Sequence, residues 1–416
     1  MSPIVKIYTP AVLLTIVAFV LAAQFIKPAP PSKVTMATGS ESGAYHSFAR
    51  SYQRYLAAEG VELELITTAG SVENQQLLRE GKVDLALVQS GIPDPFGIQL
   101  LESMGSVFYE PLWVFTSANR PIGALRELAG LRMAIGGEGS GTRALVNMLL
   151  SDNGISLNAT QPLGGRAAYD ALKEGKIDAA FFVSAPRSLL VQEMLRDQTL
   201  SVMSFDRVQA YAKRYGFLSH VVLPQGIVDL RQDIPTQDKA LLAPAANIVA
   251  TKEIHPAIID IMLMAAKQQH GNEGWFANNG QFPQPKLLAY PLADRAKKFY
   301  EKGEPVLQRY MPFWAASLID RLWVMLLPLV LMILPLMKVM PPIYNWRMRA
   351  RVYRWYEKLE SIDEQATDAD HATKETLHQS LRDLEQEVRQ LKIPLAFAHE
   401  AYHLRQHIEL VRQRLL

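Results

Sequence analysis

One pattern occurs twice in this chain, and it leaves few folds open. From Lys33 a short run rich in β-branched residues enters a Gly/Ser loop and then a helical stretch, ATGSESGAYHSFARSYQRYL. An extended ELELITTAG follows, then a helix ending at Glu80-Gly81-Lys82 and an apolar strand, DLALVQS, that stops at Ser90. The series recurs as AIGGEGSGTRALVNMLL and then ALKEGKIDAAFFVSA. Gly81 and Gly175 stand where a helix C-terminus takes a left-handed residue. Asp84 and Asp178 each precede an apolar strand, Leu85 to Val88 and Ala179 to Val183. Strands alternating with helices specify an α/β fold, here predicted as two lobes of one architecture.

Two further stretches connect the lobes. Ser106 to Ser117, SVFYEPLWVFTS, is aromatic and β-branched and suits a strand that carries the chain across; Leu241 to Thr251, LLAPAANIVAT, suits the return. Two crossings make the first lobe discontinuous and create a hinge. Lobe 1 is expected over about 33–112 and 245–312, and lobe 2 over about 118–240. Pro256 to Tyr310 reads as helices with Pro and Gly interruptions, packed outside lobe 1.

Composition narrows the function. Net charge is +2 with 20% charged residues, so nothing points to nucleic acid. Cysteine is absent, which excludes disulfides, thiolate zinc sites and cysteine nucleophiles. The 49% of hydrophobic residues is concentrated at two places. Ile7 to Ile26, between Lys6 and Lys27-Pro-Ala-Pro-Pro, approaches the roughly twenty residues that cross a bilayer. It reads as an export signal, either cleaved or kept as an anchor, with a spacer to residue 32. Leu322 to Met337 carries no charge and is followed by Lys338, Arg347, Arg349, Arg351, Arg354 and Lys358 among Tyr and Trp residues. Basic charge and aromatic rings beside a span mark the cytoplasmic side. The expectation is a second membrane helix within 313–341, a cytoplasmic helical tail over 342–416, and the two lobes outside the cell.

In an open parallel sheet, ligands bind beyond the carboxyl ends of the strands, where loops and helix N-termini converge. Facing lobes would set Ser40, Ser42 and Tyr45 against Ser140, Thr142 and Arg143, a site for a small anion. A nucleotide does not fit: GGEGSGTR lacks the phosphate-binding Lys-Ser/Thr and the GxGxxG spacing. His399, Glu400 and His403 spell HEAYH, the zinc metalloprotease pattern, with His407 one turn on. Too little chain follows for a third ligand and a cleft. Leu404, Ile408, Leu410 and Val411 give the alternative of an ordinary amphipathic helix, and RDLEQEVRQL reads as part of a helical hairpin or short coiled coil.

Four motifs then carry a resemblance: Thr38 to Tyr45, Gly70 to Asn74 (GSVEN), Asp84 to Ser90 (DLALVQS) and Ser140 to Thr142 (SGT). Over residues 33–290 the chain resembles the solute-binding proteins of the TAXI branch of TRAP transporters, and beyond them its membrane-anchored members with a helical tail. The resemblance implies a two-lobed type II periplasmic-binding-protein fold with hinge strands, plus two transmembrane helices and a C-terminal helical tail. It implies capture of a small anionic or zwitterionic solute, a carboxylate or an amino acid, without catalysis or cofactor. Delivery would be to TRAP transporter membrane subunits at a bacterial inner membrane, with the binding domain in the periplasm. The alternative is a receptor signalling through its tail. Carried over by motif, the contacts are Ser40, Ser42, Gly43, Ala44, Tyr45, Ser71, Gln89, Ser90, Ser140, Gly141 and Thr142, beside Arg143 from the lobe argument. Glu41 departs from the family's first loop; it either faces solvent or recognises an amino group.

Overall fold

Lobe 1 grows from β1 (Lys33–Ala37), which passes through α1 (Ala44–Ala58) to β2 (Glu62–Ile66) and through α2 (Ser71–Arg79) to β3 (Leu85–Gln89). The three strands run parallel, as right-handed crossover helices require. β3 is buried along its whole length, which explains its unbroken apolar sequence. α1 buries His46, Ala49, Tyr52 and Leu56 at spacings of three and four, one helical stripe. β4 (Leu101–Tyr109) completes the outgoing chain of this lobe. The computed structural model describes residues 29–94, 96–305, 310–366, 370–390 and 397–415, with Ile16, Val17 and Val20. The side chains of 320–328, 331–332, 334–336, 340 and 371–372 fall outside that description.

Lobe 2 begins at β5 (Leu112–Ser117) and continues with β6 (Met133–Ala134), α3 (Gly141–Asp152), β7 (Thr160–Gln161), α4 (Gly165–Lys173) and β8 (Ala179–Val183). It closes with α5 (Leu189–Arg196), β9 (Leu200–Val202), α6 (Val208–Arg214) and an antiparallel pair, β10 (Ser219–Leu223) with β11 (Lys239–Ala243). The chain returns through β12 (Ala245–Thr251), then α7 (Pro256–His270) and α8 (Asp294–Lys302). Strand order is β2-β1-β3-β12-β4 in the first sheet and β7-β6-β8-β5-β9 in the second. β12 is antiparallel to both β3 and β4, and β5 to both β8 and β9, so each crossing chain enters the middle of a sheet. These are the two α/β lobes that the repeated sequence predicts, in the periplasmic-binding-like arrangement that the resemblance implies.

The expected single strand from Ser106 to Ser117 is two strands, broken at Glu110-Pro111. Proline has no N–H to continue a ladder, and the return breaks likewise at Pro244. The Glu110 N–H donates to the Pro244 carbonyl (2.9 Å), tying the two crossings together at the hinge.

The chain divides into two compact units, 28–319 and the remainder. Three long helices follow: α9 (Phe313–Ala366), which starts in the first unit and from Asp320 belongs to the second, then α10 (His371–Arg389) and α11 (Ala398–Leu415) in the second. Val352, Leu359, Ile362, Leu377, Leu381, Leu384, Leu404, Ile408 and Val411 form one buried core among them. Leu410, assigned to the apolar face from sequence, is exposed instead. HEAYH is a stretch of α11. His399 Nε2 lies 3.4 Å from Glu400 Oε1, the His407 ring meets Tyr356 edge-on, and no metal-holding cluster occurs among the described residues. The expected span at Ile7 to Ile26 lies outside the described residues apart from three positions. The backbone over Leu322 to Met337 is helical within α9, most of its side chains being undescribed. Among the described residues no helix is long and apolar enough to cross a membrane.

At the C-terminus of α7, His270 Nε2 sits 2.6 Å from the Tyr52 hydroxyl, and its ring packs against those of Phe48 and Phe108, which also touch each other. Burial lowers its pKa to about 3. A histidine depressed in the fold contributes stability above its unfolded pKa of about 6.5 and loses it as pH falls. Denaturation should therefore show a midpoint that drops from pH 7 to pH 4.5, with His270→Gln removing roughly 2 kcal/mol of the difference. An unchanged pH profile in His270→Gln would contradict this.

Candidate functional site

The parallel strands of both lobes end at the same opening, so the helices that follow them start there. α1, α2, α3, α4 and α5 all place their first residues on the wall of one cavity of about 530 Å³. Ser140 and Ser188 cap α3 and α5 by accepting from the N–H groups of Arg143 and Val191. Gly43, Gly70 and Gly164 stand at the caps of the other three and supply no side chain. Helix N-termini carry partial positive charge, each favouring an anion by about 0.3–1 kcal/mol, so their convergence is a field for negative charge.

The two halves are anchored by the same device. Ser71 Oγ, in the first turn of α2, accepts from the N–H of Gln89 at the end of β3 (3.0 Å). Thr142 Oγ1, in the first turn of α3, accepts from the N–H of Val183 at the end of β8 (3.1 Å). Asn74, fully buried, donates to the carbonyls of Thr38 (2.6 Å) and Leu87 (2.7 Å), which fixes α2 across two strand ends. The Gly-Ser-Val-Glu-Asn motif thus reads as the fastening of α2. The lobes touch where the N–H groups of Val72 and Glu73 donate to the Gly139 carbonyl (3.2 and 3.4 Å). Gly141 lies so close to Gln89 that a Cβ there would stand 2.7 Å from its Oε1.

Of the residues expected from sequence, Ser40, Ser42, Gly43, Ala44, Tyr45, Ser71, Gln89, Ser140, Gly141 and Thr142 line the cavity. Ser90 and Arg143 do not. The Ser90 hydroxyl accepts from the Ala245 N–H and donates to the Phe217 carbonyl, which places it in the hinge. Arg143 is off the wall: its Nη1 is buried 4.0 Å from Glu138 Oε1, with no hydrogen-bond partner among the described residues. Glu41 is exposed and off the wall. Gln89 is 2% exposed, and its Nε2 has no hydrogen-bond partner among the described residues.

Sequence reasoning missed Glu110, which lines the cavity from the hinge and is 3% exposed. Its Oε2 accepts from the Tyr45 hydroxyl (2.8 Å), itself 3.3 Å from Ser71 Oγ. Burial pushes its pKa up to about 8 against the opposing hydrogen bond from Tyr45, and burial with the Glu110 charge raises Tyr45 well above the tyrosine range. The available signal was an acid immediately before proline inside an otherwise apolar stretch. Also missed were the α4 and α5 starts, Gly164, Gly165 and Ser188, and the apolar wall of Phe182, Leu190 and Val191. α4 opens on two glycines too common in turns to be singled out.

Residues 36–259 match the model of the NMT1-like family. No curated protein matches the chain. Similar solved structures include a protein from Bordetella bronchiseptica RB50 at 15% identity, covering 66% of this chain and 99% of that one (TM-score 0.43). Others are the substrate-binding protein of an amino acid ABC transporter at 12% identity (57% and 92%, TM-score 0.36) and the BenM effector-binding domain with benzoate at 14% (59% and 95%, TM-score 0.39).

Glu110 also gives the fold a pH dependence of definite sign. Its folded pKa lies above the ordinary 4.5, so its contribution is complete below that value and is lost as pH rises through about 8. Unliganded protein should weaken between pH 5 and pH 9 in thermal denaturation. Glu110→Gln should recover a few kcal/mol at the alkaline end, on the order of 3. Equal pH profiles for the two proteins would refute this.

Proposed function

The chain belongs to the NMT1-like family, and from that premise we propose that it is a solute-binding protein which captures a small carboxylate between its two lobes. The observation that carries this reading is the convergence of five helix N-termini on one cavity between hinged lobes. A carboxylate there meets oriented N–H groups and lies beside Gln89, whose buried Nε2 lacks a partner among the described residues and becomes its donor as the side chain turns, while Phe182, Leu190 and Val191 accept an apolar portion. The cavity lies within the usual range for small ligands of about 300–1,000 Å³. Binding and release, with no chemical step, is the activity we assign.

The finer reading is a TAXI-type subunit of a TRAP transporter, supported by the GSVEN, DLALVQS and SGT motifs. In this reading Ile7 to Ile26 and Leu322 to Met337 tether the chain to a bacterial inner membrane, with the binding unit in the periplasm and α10 and α11 in the cytoplasm. Its partners are then the transporter's membrane subunits. A ligand-sensing receptor is the second reading, favoured by the packed helical unit after the apolar stretch, in which Trp346 is 73% exposed.

Thermal-shift titration of the full-length protein with dicarboxylates, keto acids and amino acids tests the carboxylate reading. A solute at a hundredfold excess over its Kd should stabilise by about 2.7 kcal/mol. Gln89→Leu should weaken that solute about tenfold, the loss of one charge-assisted hydrogen bond. Failure of all three classes to stabilise a folded protein would overturn the assignment.

A further inference from the structure

Glu110 is an acid in a site built for an anion, and the solute-binding reading leaves its role open. Its position is fixed by backbone: it stands between β4 and β5, and its N–H is bonded to Pro244 of the returning chain. The carboxyl therefore sits on the hinge, not on a lip. The groups around it are few. Tyr45 of α1 donates to one oxygen, Ser71 of α2 stands behind Tyr45, and Gln89 of β3 is an amide. Lobe 2 brings two charged side chains to the cavity. Glu138 is acidic and largely exposed, and the Arg166 guanidinium is held by Glu193 through bonds of 2.8 and 2.6 Å. No cation among the described residues pairs with Glu110.

We propose that Glu110 is the acceptor for a cationic nitrogen of the solute, so that the cleft selects carboxylates bearing an ammonium group over those without one. This rests on the solute-binding reading and deepens it. The two ends of such a solute meet opposite fields: the carboxylate lies against the helix N-termini, and the ammonium against a buried carboxylate on the hinge. A solute carrying only carboxylates instead puts like charge beside Glu110 and is accommodated only with that side chain protonated. The two classes therefore differ in proton traffic. With a pKa of about 8 in the empty cleft, Glu110 is largely protonated at neutral pH, and an ammonium displaces that proton. Affinity for an ammonium solute rises with pH up to about 8, whereas affinity for a plain carboxylate stays level or falls.

Matched pairs separate the cases: L-leucine with isocaproate and L-glutamate with glutarate, titrated into the full-length protein by calorimetry in phosphate and in Tris from about pH 6 to 8. We expect the amino acid of at least one pair to bind about tenfold or more tightly than its des-amino partner. That amino acid should release a proton on binding, and Glu110→Gln should erase its advantage. The pH slope of the unsubstituted protein carries the test even if the variant folds poorly. Equal or tighter binding of the des-amino partners, or affinity for the amino acids that falls with pH, overturns the assignment of Glu110 alone. Binding of keto acids or dicarboxylates with neither amino acid bound also overturns it alone. No stabilisation by any carboxylate overturns both this inference and the function it rests on.

Discussion

A hydroxyl in the first turn of a helix, accepting the last N–H of a neighbouring strand, holds each half of the cleft together. Ser71 does this for Gln89 and Thr142 for Val183, one in each lobe. The bond has two effects. It satisfies a donor that would otherwise be left open at the end of the strand, and it sets where the helix begins. The aim of the helix N-termini at the cavity depends on these ties. The same duplication reaches the far ends of the strands, where Asp84 accepts from the Thr35 N–H (2.7 Å) and Asp178 from the Arg132 N–H (2.9 Å). Each lobe is thus pinned at top and bottom by equivalent side chains, and the repeat visible in the sequence is a repeat of fastenings.

Those fastenings explain what the sequence disclosed. Gly81 and Gly175, both with φ near +65° to +70°, and the aspartates that follow them mark local requirements of the backbone, so they recur in recognisable form and reveal two lobes. The first-turn serines and threonine were legible for the same reason. Glu110 was not. Its significance comes from the return of Pro244 and the approach of Tyr45, contacts distant in the chain that no spacing rule encodes. Ser90 misled in the opposite direction: it closes a motif, yet its hydroxyl is engaged by β12 and by Phe217. HEAYH shows how little a short pattern constrains when a buried Leu404 and Ile408 already account for the helix that carries it.

The hinge combines two roles usually held apart. Glu110-Pro111 and Pro244 interrupt the strands that link the lobes, and the same interruption turns a carboxyl into the cavity. Any solute that engages it acts at the pivot, where small displacements move both lobes. Tyr45 extends this link to the first turn of α2 through Ser71.

The contact between the lobes at Gly139 is made by main-chain atoms: one carbonyl and the N–H groups of Val72 and Glu73. Glycine is required on one side of that junction, where Gly139 has a φ of +74° and a Cβ would stand 3.2 Å from that of Ala69; elsewhere the bonds use backbone atoms common to all residues. The cavity walls away from that glycine can therefore change while the way the halves meet is preserved, so the joining of the lobes and the chemistry of the space between them are separable properties of this architecture.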